Sequence, residues 1–121
     1  MLRNFLAIGA GGAMGAMLRY GMTLLGAQLH WTSNLSTFLV NAAGSFIMGL
    51  LMSSCGQGTW QLLATVGLCG GFTTFSTFSM QSVTLLQQGR YLPAAFYILG
   101  TVVVCIFMAW LGTLLGGQLG K

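Results

Sequence analysis

The 121-residue chain contains no aspartate and no glutamate. That absence excludes paired-carboxylate catalysis, which needs two such groups, and proton-coupled export through an intramembrane carboxylate. Cysteine is sparse, and Cys55, Cys69 and Cys105 are odd in number and lie within or beside apolar stretches, so their spacing gives neither a disulfide framework nor a metal site. Charge of either sign is scarce: 3 % of residues are charged and 55 % are hydrophobic, whereas about a quarter of a soluble domain is charged. A water-soluble globule is thereby excluded, and neither a nucleic-acid partner nor an enzymatic activity is expected. The net charge of +4 comes entirely from Arg and Lys, which suits the handling of anions better than of cations, although small membrane proteins in general carry few charges.

What is present is apolar length. Runs of at least about 18 apolar residues identify four membrane spans, at about 2–27, 35–54, 60–87 and 93–116. The connections around His30, Gln57 and Arg90 are only a few residues long, so a single four-helix transmembrane domain over 1–121 is expected. The first span follows Arg3 as a signal peptide would, but its length and glycine content read as a retained helix. His30 reads as a loop residue. Trp31, Trp60, Tyr91 and Trp110 fit interfacial belts, and Pro93 fits the first turn of the last span, where a missing N–H does no harm.

The third span carries Gly67-Leu68-Cys69-Gly70-Gly71-Phe72-Thr73-Thr74-Phe75-Ser76-Thr77-Phe78-Ser79. A helical break is expected at Gly70-Gly71, the weakest helix-forming pair short of proline, with the following hydroxyls compensating the backbone. Irregular backbone survives in hydrocarbon only where protein buries it or it lines a watery cavity, so the break marks a site. Freed carbonyls there suit a cation, and the second half-helix can face an anion with its N-terminus. Phe75 and Phe78 stand at i, i+3, interleaved with the hydroxyls of Thr74, Ser76 and Thr77. Aromatics at that spacing are usually packing residues, but ring edges carry positive partial charge and can solvate a small anion.

Other polar residues fall at helical spacing. Thr37, Asn41 and Ser45 share one face of the second span, and Tyr97, Thr101 and Cys105 form a weaker stripe on the fourth. Asn41 is the costliest to bury; it serves either as glue between helices or as a group that solvates something moving past. Arg19, deep in the first span, either faces a cavity or snorkels to an interface. Gly11, Gly12 and Gly15 make a small-residue face for close helix approach. Four spans place Arg3 and Lys121 on one side and Arg90 on the other, so the positive-inside bias is near zero and both orientations are expected.

The third-span signature resembles that of the Fluc fluoride channels, also called CrcB proteins. Gly11-Gly12-Ala13-Met14-Gly15-Ala16-Met17-Leu18-Arg19-Tyr20 is similar to their first-helix motif, and Asn41-Ala42-Ala43-Gly44-Ser45-Phe46 to their second. The resemblance covers essentially the whole chain. It implies an all-α membrane protein of four transmembrane helices, the third broken near its middle, assembled as an antiparallel dual-topology homodimer in the lipid bilayer of the plasma (inner) membrane. It implies two fluoride pores and a structural sodium ion on the dimer axis, held by the carbonyls of Gly70 and Thr73 from both subunits. Phe75 and Phe78 would form an aromatic box facing fluoride, supported by Asn41. Ser76 and Thr77 would belong to the polar track, and Arg19 would sit near the vestibule. Gln81 stands where the family usually carries Glu, and Thr101 and Cys105 stand where its fourth helix usually carries Asn and Ser. A non-transporting assembly subunit or holin-like protein is the alternative; it accounts for the glycines but not for a polar break flanked by two Phe.

Overall fold

The computed structural model describes residues 1–54 and 58–119; Cys55, Gln57 and Lys121 lie outside the described residues. Every element is helical: α1 (Leu2–Gln28), α2 (Ser33–Ser54), a short α3 (Thr59–Leu62), a π-helical segment (Leu63–Cys69), α4 (Gly70–Phe72), α5 (Phe75–Gln87) and α6 (Tyr91–Leu119). The helical runs Asn34–Ser54, Thr59–Gln87 and Tyr91–Gln118 are long and apolar enough to cross a membrane, which makes this a multi-pass membrane protein. At 27 residues α1 is about 40 Å long, also enough to span, but its glycines and arginines dilute its apolar character. The first expected span is therefore the one that composition alone does not carry.

The connections follow local chemistry. The Thr32 hydroxyl accepts the Leu35 N–H at 3.1 Å and so caps the start of α2. His30 takes a left-handed backbone (φ 64°) in the exposed turn before it, and Gly89 (φ 75°) does the same between α5 and α6, where a side chain would be strained. α2 packs chiefly along α6, and α1 chiefly on the π segment and α4. The buried core is narrow, built from Val40, Ala42, Cys69, Phe78, Leu85 and Ala94, while Leu99, Val103, Ile106 and Trp110 of α6 point outward. Outward apolar residues are what a lipid-facing helix presents.

The third span is interrupted, but not where glycine content places the interruption. Gly70 and Gly71 are helical; the chain leaves the helix at Thr73 (φ −84°, ψ 160°) and Thr74 (φ −148°, ψ 118°). Close packing explains the difference. A Cβ on Gly71 would lie 2.5 Å from the Gly12 carbonyl oxygen of α1, and one on Gly67 would lie 2.8 Å from that of Ile8. These glycines serve helix approach, and the hydroxyl residues that follow accommodate the break.

Candidate functional site at the helix break

Thr74 is the hinge of the site. In a continuous helix its N–H would bond the Gly70 carbonyl. It bonds Asn41 Oδ1 instead, at 2.8 Å, and Asn41 Nδ2 donates back to the Thr74 carbonyl at 3.0 Å. Thr74 Oγ1 in turn accepts the Thr77 N–H at 3.3 Å, taking the donor that would have reached the Thr73 carbonyl. The break thus removes the helical donors of the carbonyls from Gly70 to Thr73, and those of Gly70 and Thr73 are diverted to side-chain oxygens. Asn41 is buried and spans two helices, and of its amide one N–H remains beyond the Thr74 pair.

Phe75 and Phe78 follow the break with ring centroids 5.6 Å apart and planes tilted by 50°. They are not equivalent. Phe78 is 6 % exposed, whereas Phe75 is 76 % exposed and projects from the protomer. The Phe78 ring also meets Tyr97 of α6 at 5.2 Å, and the Tyr97 hydroxyl donates to Gln81 Oε1 at 2.6 Å. Gln81 thus fastens the α5–α6 contact that orients Phe78. Nothing in sequence spacing pairs Tyr97 with Phe78 or Gln81, because the contact depends on how α6 returns along α5.

Both rings line a groove of about 380 Å³ together with Asn41, Ser45, Thr73, Thr74, Thr101 and Cys105. Thr101 is 4 % exposed and its hydroxyl has no hydrogen-bond partner among the described residues, although a helical threonine usually bonds the carbonyl one turn back. On the other side of Thr74 lies a polar cavity of about 230 Å³ lined by Arg19, Thr23, Ser36, Thr37, Thr74 and Thr77. Arg19 is half-buried and lines this cavity. Thr74 belongs to both spaces, so the break separates the cavity that Arg19 lines from the aromatic groove. Of the expected site residues, Asn41, Thr73, Thr74, Phe75 and Phe78 meet at the groove, and Arg19 and Thr77 meet at the cavity. Ser76 is exposed, 3.5 Å from the Thr74 hydroxyl, and Gly70 lies exposed on the outer face of α4.

The family model described as CrcB-like protein, Camphor Resistance (CrcB), matches residues 6–113. A Listeria monocytogenes protein named fluoride-specific ion channel FluC 1 is 43 % identical over 118 residues, covering 96 % of this chain and 99 % of that protein. Proteins named fluoride-specific ion channel FluC from Shewanella amazonensis and Campylobacter jejuni are 43 % and 44 % identical over 117 residues, covering 92 % and 93 % of this chain and 94 % and 96 % of theirs. With residues 6–113 matched by the family model and relatives 43–44 % identical over more than nine-tenths of it, the chain belongs to the CrcB family.

Proposed function

We propose that this protein is a passive, fluoride-selective channel of the plasma membrane that lets fluoride leave the cytoplasm. The observation that carries the reading is the groove at the break, where two phenyl rings, a free threonine hydroxyl and an asparagine amide converge without any full charge. Fluoride is small and tightly hydrated, so a pore has to replace its water by donors that hold it weakly enough at each station for it to leave. Arg19 raises the anion concentration in the vestibule, the hydroxyls of Thr74, Ser76 and Thr77 take over part of the hydration shell, and the ring edges of Phe75 and Phe78 pass the ion on.

The functional unit in this reading is an antiparallel homodimer with all four spans in the bilayer and two pores. Phe75 at 76 % exposure, beside a buried Phe78, makes half of an aromatic wall, and a second copy supplies the other half. The near-zero charge bias supports insertion both ways; a single cysteine at either terminus should react from both sides of the membrane, and labelling from one side alone contradicts the dimer. The carbonyls of Gly70 and Thr73 fit a structural sodium ion, since a hard cation takes oxygen ligands and their helical donors are diverted. Such an ion, when bound, would supply a fixed positive charge beside the break. The chain's own part is to aim the carbonyls there, and replacing Na+ by N-methyl-D-glucamine should weaken the dimer. An unchanged dimer in the absence of Na+ would remove the ion from the account.

The test of the function is efflux from liposomes reconstituted with the purified protein. Fluoride should leave rapidly and chloride should stay; equal efflux of both, or of neither, would return the chain to the packing-protein reading.

A further inference from the structure

We propose that the groove at the break is also a binding site for a thiophilic metal ion, held by the thiolates of Cys69 and Cys105 with the Met48 thioether as third ligand. The three sulfurs come from three elements, the end of the π segment, α6 and α2, and all three residues line the one groove. Cys69 and Cys105 are both free, the first buried in the wall and the second half-buried. The Cys69 backbone is held in place by the break, because its carbonyl accepts both the N–H and the hydroxyl of Thr73, at 3.0 and 3.1 Å.

Ligand chemistry sets the class of ion. Thiolate and thioether donors select soft ions such as Hg2+, Ag+ or Cu+ over harder ones, and the chain contains no carboxylate side chain to favour the latter. Two thiolates around a divalent ion form a neutral unit, so its burial avoids the desolvation cost of an isolated charge. With HgCl2, a neutral molecule, the first thiol loses its proton and displaces one chloride, forming an S–Hg bond and HCl. The second thiol displaces the other chloride in the same way, and nothing is oxidised or reduced. That a metal held there would obstruct anion passage rests on the proposed function; the metal site itself does not.

The test uses full-length protein carrying Cys55→Ser, since Cys55 is the remaining thiol. After loading with HgCl2 and challenge with 2-mercaptoethanol, mercury per chain is followed by mass spectrometry, and the sulfur-to-mercury absorption band reports the coordination number. One mercury per chain should survive, with the band of a bis-thiolate. Adding Cys69→Ser or Cys105→Ser should speed its loss by more than about tenfold, the range produced even by losing an outer partner of a metal ligand. Met48→Leu, which keeps both thiols and the apolar volume, should speed it less. The band, read on the parent protein, decides the matter even where a serine variant misfolds: a mono-thiolate band, no retained mercury, or equal retention with either thiol removed overturns the proposal. Fluoride efflux is read separately. Mercury retained with undiminished flux supports the metal site and takes the groove out of the anion path.

Discussion

The two arms of the broken span are held in opposite ways. The arm before the break, Thr59–Phe72, lies backbone to backbone on α1: Gly11 faces Gly67, and Gly12 faces Gly71, so closely that a single methyl group has no room. The arm after it, Phe75–Gln87, is held by side chains at longer reach, with Asn41 clasping Thr74, Tyr97 packed at a tilt against Phe78, and Gln81 bonded to Tyr97. The first arm is thus a rigid wall set by the absence of side chains. The second is a surface whose chemistry side chains can tune, and it carries the residues proposed to meet the ion.

This contrast is broken most severely at the wall. Gly71→Ala pushes a methyl group into the α1 backbone, which has no rotamer through which to yield, so a loss of at least about 1–3 kcal/mol is expected. Its neighbour sharpens the point. A Cβ on Gly70 meets nothing closer than 3.9 Å, so Gly70→Ala should leave the protomer intact. Chemical unfolding in detergent separates the two, and equal losses would show that α1 yields. A deficit in Gly70→Ala confined to subunit association would locate the partner surface at α4.

Comparable in size is Asn41→Ala, which leaves the Thr74 N–H and carbonyl buried without partners, at about 1–3 kcal/mol for each group. Asn41→Asp keeps the acceptor for the Thr74 N–H but, when ionised, buries a charge and sets an acceptor against the Thr74 carbonyl, so its unfolding midpoint should fall well below the parent's. If alanine proves as stable as the parent, water fills the clasp. The smallest effect is expected from Tyr97→Phe, which keeps the ring against Phe78 but removes one hydrogen bond, worth about 0.5–1.5 kcal/mol. Fluoride flux should fall only slightly in that variant, whereas Tyr97→Leu, which also removes the ring, should cost more; identical flux in all three proteins would detach Tyr97 from the positioning of Phe78.

Apolar length made four helical stretches legible, three of which are apolar enough to cross a membrane by composition alone, and glycine content together with hydroxyl content made the break legible to within a few residues. The displacement to Thr73 and Thr74 was not legible, because Gly70-Gly71 reads equally well as a helix breaker and as a contact face, and only the position of α1 decides between them. The π-helical turn of Leu63–Cys69 has no sequence marker either. Asn41 stood out as a buried amide, but its partner is a backbone thirty-three residues away that no side-chain pattern announces. The unequal placement of Phe75 and Phe78 was hidden for a related reason. Spacing i, i+3 puts the rings side by side and says nothing about which of them another helix covers.

Whether Phe75 and Phe78 carry fluoride is measured by the initial rate of fluoride efflux from liposomes containing the parent, Phe75→Ile or Phe78→Ile at matched amounts of assembled protein. Isoleucine keeps the apolar character and removes the ring quadrupole. The account predicts that both variants assemble and pass fluoride far more slowly than the parent. Parent-like rates in both assembled variants would make the rings packing residues and contradict it.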